Sequence, residues 1–140
     1  MKNDDNYIAH INEETGAVQS VREHSENTAL LCREFSIDPL KDFMYSTGIL
    51  HDIGKFQHSF QDRIRGKNIR VDHSTCGAVA AGAIYGDPVS IMMEYCIAGH
   101  HSGIPDGGYK NDDGTSLAGR LKKKLEDFSV YREYIETEDI

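Results

Sequence analysis

The chain has 140 residues, hydrophobic content of 39% and a formal net charge of −8 at pH 7. This length suits one compact domain with its own core, and the composition excludes a mainly disordered chain. No apolar stretch approaches the roughly 20 residues of a membrane-spanning helix, and the polar start lacks a secretory signal, so we predict a cytoplasmic protein without membrane association.

Hydrophobic residues recur at three- and four-residue steps along nearly the whole chain, which is typical of amphipathic helices. The pairs Asp38-Pro39 and Asp87-Pro88 each combine a helix cap with a proline that the first helical turn tolerates. No segment alternates in the manner of a strand between turn signals, so we do not expect a sheet. The predicted fold class is all-α, with helices over residues 18–35, 38–52, 56–65, 73–85, 89–98 and 116–128.

The three cysteines, Cys32, Cys76 and Cys96, do not form a CxxC pair and lack zinc-finger spacing. Each lies in an apolar helical segment. We therefore predict buried reduced thiols rather than a disulfide framework.

The acidic balance is unlike that of proteins that bind nucleic acid through a generally basic surface. A polynucleotide would have to be held by bound metal, by a partner or by local basic clusters. The chain has two such clusters, which are Arg63, Arg65, Lys67 and Arg70, and Arg120, Lys122, Lys123 and Lys124.

A His51-Asp52 pair followed by Gly54 and Lys55 closes the second predicted helix. More histidines come before and after it, at the ends or inner faces of separate predicted helices. A helical bundle can direct such side chains to one internal pocket, so we predict a bundle with a central metal site. Imidazole together with carboxylate favours manganese, iron, cobalt or nickel over magnesium. The candidate ligands are His24, His51, Asp52, His73, His100 and His101.

Asp52 is the one predicted carboxylate ligand, and a carboxylate can bridge two ions. Two ions roughly 3.5–4 Å apart polarise a phosphodiester and activate water for its hydrolysis. Lys55 follows one helical turn later, within reach of a bound phosphate, so we assign catalytic roles to Asp52 and Lys55. His10 and His58 have only the support of an isolated histidine, and we leave both out of the metal site.

These motifs resemble the HD nuclease domain of the CRISPR-associated nuclease–helicase of type I interference systems, a branch of the HD superfamily of metal-dependent phosphohydrolases. The resemblance begins at Ala9-His10 and Glu23-His24 and continues through residues 48–55, Phe60-Gln61 and His73-Ser74 to residues 97–106. Its most specific part is Ser102-Gly103-Ile104-Pro105-Asp106. HD phosphodiesterases that open cyclic dinucleotides typically have Glu and a Gly-Tyr-Pro element after their His-His pair.

The resemblance implies a nuclease that nicks and degrades single-stranded DNA. A helicase in the same chain or in a separate subunit would supply the strand, after a crRNA-guided surveillance complex has opened the target duplex. Lys55 would assist at the scissile phosphate. The implied ligands are His24, His51 and Asp52 for one metal ion, and Asp52, His73, His100 and His101 for the second.

The family pattern also includes a later aspartate that completes the first metal site, and here only Asp127 and Asp139 are available as weak candidates. We therefore expect residues 1–140 to be a single HD nuclease domain at the N-terminal portion of a longer nuclease–helicase. We also expect weak metal occupancy on the His24 side and reduced or absent nuclease activity of this piece alone.

Two alternatives stay open at this point. One is an HD phosphohydrolase that acts on nucleotides or cyclic dinucleotides, against which the segment 102–106 argues. The other is a non-catalytic, truncated HD module that binds interference partners, which the missing late carboxylate leaves possible.

Overall fold

Helices form most of residues 6–140, the part of the chain that the computed structural model describes. A short hairpin precedes them, made of strands β1 (Ile8–Ile11) and β2 (Val18–Ser20). The α-helices are α1 (Val21–Phe35), α2 (Lys41–Leu50), α3 (His58–Ile64), α4 (Ser74–Tyr85), α5 (Val89–Gly99) and α6 (Leu117–Leu121). Short 3₁₀ turns span Asp38–Leu40, Ile53–Phe56 and Ser129–Glu133.

The core lies between two helix pairs, because α1 packs on α2 and α4 packs on α5. Fully buried apolar side chains of α2 and α5, such as Leu50 and Met93, fill the space between them. Small residues bring the backbones close: a Cβ at Gly48 would lie 2.8 Å from the Cα of Ala29, and one at Gly77 would lie 2.2 Å from the Leu50 carbonyl oxygen. The predicted helical class is confirmed.

The expectation that no sheet forms is wrong for the N-terminal hairpin. β1 and β2 pair antiparallel, with an irregularity between Ile8 and His10. Their connection is a turn in which the side-chain oxygen of Asn12 accepts the backbone N–H groups of Glu14 and Thr15. Gly16 then takes a positive φ of 72°. The first helix consequently starts at Val21 rather than at residue 18.

The helix predicted over residues 116–128 is also shorter in the structure, because α6 ends at Leu121. Tertiary contacts hold the segment that follows: the carboxylate of Glu126 accepts the backbone N–H of Ser59 at 3.1 Å, and the Ser59 hydroxyl as well. Contacts of this kind outweigh the helical propensity of the segment.

The predicted burial of the cysteines is correct for Cys76 and wrong for Cys96, which is exposed on α5; Cys32 is half-buried. All three are free thiols. Within residues 6–140, no helix is both long and apolar enough to cross a membrane.

Candidate metal centre

The carboxylate of Asp52 lies at the centre of a histidine cluster, just after the end of α2. Its Oδ2 is 2.9 Å from Nε2 of His24 and 3.2 Å from Nε2 of His51. Its Oδ1 is 3.0 Å from Nε2 of His100 and 3.4 Å from Nε2 of His73. Each carboxylate oxygen therefore faces its own pair of imidazoles, which is the arrangement that a bridging ligand of two ions needs.

His101 completes the group on the Oδ1 side, with its Nε2 2.7 Å from Nε2 of His73. The ligand atoms of Asp52, His73, His100 and His101 all lie within 4.8 Å of one another. Ligands at about 2.1 Å from a common transition ion are at most about 4.2 Å apart, so small side-chain adjustments suffice for one ion to contact all four. This set coincides with the second ligand group that the resemblance implies.

The group on the Oδ2 side contains a residue that the sequence analysis left out. His10 on β1 joins His24 and Asp52 in a second set whose ligand atoms lie within 4.8 Å of one another. His51 borders this set, since its Nε2 lies 3.1 Å from Nε2 of His24. His58, also left out of the metal site, is 86% exposed and belongs to neither set. Only the place of Ala9-His10 in the resemblance pointed to His10.

Two of the candidate ligand histidines are oriented by the helices that they terminate. The Nδ1–H of His51 donates to the Gly48 carbonyl at 2.6 Å, and that of His100 donates to the Ile97 carbonyl at 2.6 Å. The last carbonyls of a helix otherwise lack partners. Because a carbonyl only accepts, Nδ1 carries a proton in both rings, which leaves Nε2, the nitrogen that faces Asp52, as the atom that can bind a metal ion.

Gly54 explains the spacing of the His-Asp-x-Gly motif. A Cβ at this position would lie 1.9 Å from the carbonyl oxygen of His73. The 3₁₀ turn Ile53–Phe56 therefore lies directly against the backbone of His73. This contact sets the distance between Asp52 and the imidazole of His73.

Lys55 points into the cluster rather than into solvent. Its side chain is 5% exposed, and its Nζ lies 3.0 Å from Oδ2 of Asp52. The ammonium also donates to the Ala9 carbonyl at 3.4 Å, and it lies 3.4 Å from Nε2 of His10. Lys55 thus neutralises part of the charge on Asp52 at the Oδ2 oxygen.

A sequence model of the HD domain family matches residues 21–131 of the chain. The chain belongs to the HD domain family. HD domains are metal-dependent hydrolases that bind divalent ions, and the Asp52 cluster is the feature of this chain that can hold such an ion. A comparison with curated proteins gives no match.

The electrostatics of this HD domain favour an ionised carboxylate at its centre. Burial of Asp52 opposes ionisation, but hydrogen bonds from four imidazoles outweigh it and hold the pKa of the carboxyl far below its usual range. Burial also opposes protonation of His100, yet the hydrogen bond to Asp52 raises the pKa of that imidazole above its usual value.

The pKa values of His101 and His10 shift in the opposite direction to that of His100. Burial, followed by the positive charge of His100, lowers the pKa of His101. Burial, followed by the positive charge of Lys55, lowers the pKa of His10. Because metal ligands must be unprotonated, both imidazoles are in the form that binds a metal ion at neutral pH.

Neither ligand set within residues 6–140 contains the later aspartate that the resemblance implies. Asp52 is the only carboxylate in either ligand set of this part of the chain. Asp127 has a fully exposed carboxyl group that accepts the Ser129 backbone N–H at 2.8 Å. Asp139 is likewise in neither set.

Proposed function

We propose that this HD domain is a metal-dependent nuclease that hydrolyses phosphodiester bonds of single-stranded DNA in CRISPR type I interference. The observation that carries the proposal is the position of Asp52 between two sets of imidazole ligands. The two sets would hold divalent transition ions, which would supply Lewis-acid activation of the phosphodiester and of the attacking water. The donor chemistry of the two sets suits manganese, cobalt, nickel or iron better than magnesium.

The residues of the chain hold and orient the reacting groups. Asp52 and the imidazoles on its two sides would hold the ions, and helix-end carbonyls orient the imidazoles of His51 and His100. Lys55 and Arg63 both line a cavity of about 260 Å³ beside His73 and His10. A phosphate in this cavity would contact the Lys55 ammonium, which supports a role for Lys55 at the scissile phosphate.

The shape of the site favours an extended substrate. His101 is exposed. The segment that follows it packs against the end of α5, where a Cβ at Gly99 would lie 2.9 Å from the Cα of Ile104. Ile104 itself is 75% exposed. The ligands are therefore reached from an open surface, as a passing strand requires, rather than from a closed nucleotide pocket.

The proposal includes partners that deliver the strand. With a net charge of −8, the chain gains little non-specific affinity for DNA from its general surface. A helicase domain or subunit, together with a crRNA-guided surveillance complex, would present the displaced strand to the HD domain. The site of action would then be the cytoplasm.

Cleavage of circular single-stranded DNA in manganese or cobalt tests the proposal. We expect little or no cleavage by the chain alone and cleavage when a type I helicase partner with its DNA-loaded surveillance complex is added. Asp52→Asn and His101→Ala should lose at least about 100-fold of that activity because each lacks a metal ligand. His58→Ala is the matched control and should retain full activity.

The same preparations should be given small substrates. Phosphate release from nucleotides or opening of a cyclic dinucleotide, without DNA cleavage, would contradict the proposal in favour of a different HD phosphohydrolase. Absence of cleavage even with the partners present would favour a non-catalytic module.

A further inference from the structure

Two arginines next to the metal centre have no partner among the residues that the structure describes. The chain has 15 basic residues against 23 acidic ones, and most of its described cations are paired. Arg63 and Arg70 are exposed, and within residues 6–140 neither guanidinium makes an ion pair or a hydrogen bond. Beside the metal centre, these two unpaired guanidiniums are available to bind an anionic partner from outside the protein.

The basic cluster predicted around these residues divides into two parts. Arg65 turns away and donates to the side chain of Gln61 at 2.8 Å, and Lys67 lies 3.8 Å from the carboxylate of Asp62. Arg63 and Arg70 alone remain available on the side of the metal centre.

Three adjoining depressions link the metal centre to these arginines. The first is the 260 Å³ cavity that contains Lys55, His73 and Arg63. The second, of about 530 Å³, contains both Arg63 and Arg70. The third, of about 1050 Å³, begins at Arg70 and extends to Tyr109. Arg63 therefore lines both the first and the second depression, and Arg70 lines both the second and the third. The three depressions form one groove.

The middle of the groove carries a net positive charge. Its one carboxylate, Asp72, is compensated by Lys123 at 3.1 Å and by Arg120 at 3.7 Å. Arg63 and Arg70 add two further positive charges. Guanidinium groups bind phosphate oxygens in a bidentate manner, so the middle depression is suited to phosphate groups.

The far end of the groove has a different character. Asp106 and Asp112 line it, which disfavours phosphate groups there. Tyr109 lines the same depression with 80% of its surface exposed. An exposed aromatic ring beside a basic groove is the usual platform on which a base of a single strand stacks.

We propose that Arg63, Arg70 and Tyr109 form a strand-guiding groove, which leads single-stranded nucleic acid to the metal centre. The two arginines contact phosphates, and Tyr109 stacks on a base farther along the strand. This inference rests on the proposed function for the type of substrate. Binding to the groove, however, does not require metal, so it can be measured without cleavage.

The test is fluorescence anisotropy of a labelled oligothymidylate of about 20 nucleotides, in EDTA, over a series of salt concentrations. Each phosphate contact with a single strand contributes about −0.7 to the slope of log affinity against log salt. Arg63→Gln/Arg70→Gln should therefore reduce the slope by about 1.4 and weaken binding at low salt by at least about tenfold. Arg132→Gln, the control, removes an exposed arginine outside the groove and should change neither value.

Tyr109→Ala separates stacking from charge. It should weaken binding by roughly fivefold or more with an unchanged salt slope, because stacking releases no counterions. Thymidine monophosphate at equal phosphate concentration should compete poorly, since it spans only one part of the groove. The inference is overturned if Arg63→Gln/Arg70→Gln binds like Arg132→Gln, or if the mononucleotide competes as well as the strand.

Cleavage assays of the same variants keep this inference separate from the proposed function. Arginine-dependent binding without any manganese-dependent cleavage, even with the helicase partner and the surveillance complex present, would support the groove and contradict the nuclease. Cleavage at equal rates by the wild type and Arg63→Gln/Arg70→Gln would support the nuclease and contradict the groove.

Discussion

Replacing Asp52 by asparagine in the metal-free protein should strongly destabilise the fold. The substitution keeps the shape of the side chain but removes the charge that the Lys55 ammonium faces at 3.0 Å. The two side chains are only 3% and 5% exposed, and removal of one partner from a buried ion pair costs about 3–5 kcal/mol. The substitution leaves the buried ammonium of Lys55 without its carboxylate partner. For a domain of this size the expected fall in Tm is roughly 10–25 °C.

Urea denaturation followed by circular dichroism, in EDTA, measures this loss without a contribution from metal binding. Lys55→Met is the control, and it should cost less because four imidazoles still donate to Asp52. Asp52→Asn/Lys55→Met should regain much of the stability, with a coupling free energy of about 2 kcal/mol. A loss below about 1 kcal/mol in Asp52→Asn, as for an exposed ion pair, or purely additive losses, would refute the reasoning.

Two further predictions concern packing and thiol reactivity. Gly54→Ala forces a Cβ to within 1.9 Å of the His73 carbonyl oxygen. We therefore expect a destabilisation of about 1–3 kcal/mol and weaker manganese binding by calorimetry. Gly82→Ala, whose Cβ meets only the carboxylate of a side chain, is the control and should retain both the stability and the manganese affinity of the wild type. Burial raises the pKa of Cys76 to about 12, so this thiol stays protonated at pH 8, and mass spectrometry after iodoacetamide treatment of the folded protein should find Cys96 alkylated and Cys76 unmodified. Equal alkylation of the two would contradict the described burial.

Local signals account for most of what the sequence predicted. Hydrophobic periodicity located the helical segments in the right order, because each helix buries one face in a shared core. The His-Asp pair and the His-His pair each follow the end of a helix, where a helix-end carbonyl orients the imidazole. Motifs placed in this way are visible in the chain before the fold is known.

The features that were missed depend on contacts between distant segments. His10 reaches the cluster only because the hairpin turn at Asn12 folds β1 onto β2, and a hairpin of this size has little periodic signal. The end of α6 at Leu121 likewise depends on Glu126 meeting Ser59. Neither contact leaves a local pattern in the sequence.

Manganese titration by calorimetry tests the shared role of Asp52 most directly. We expect two binding events, the weaker one on the His10 side. His10→Ala should weaken that event alone, and His101→Ala should weaken the other alone. Asp52→Asn should abolish both, because each set depends on one of the two Asp52 oxygens. A manganese site of wild-type affinity in Asp52→Asn would contradict the account.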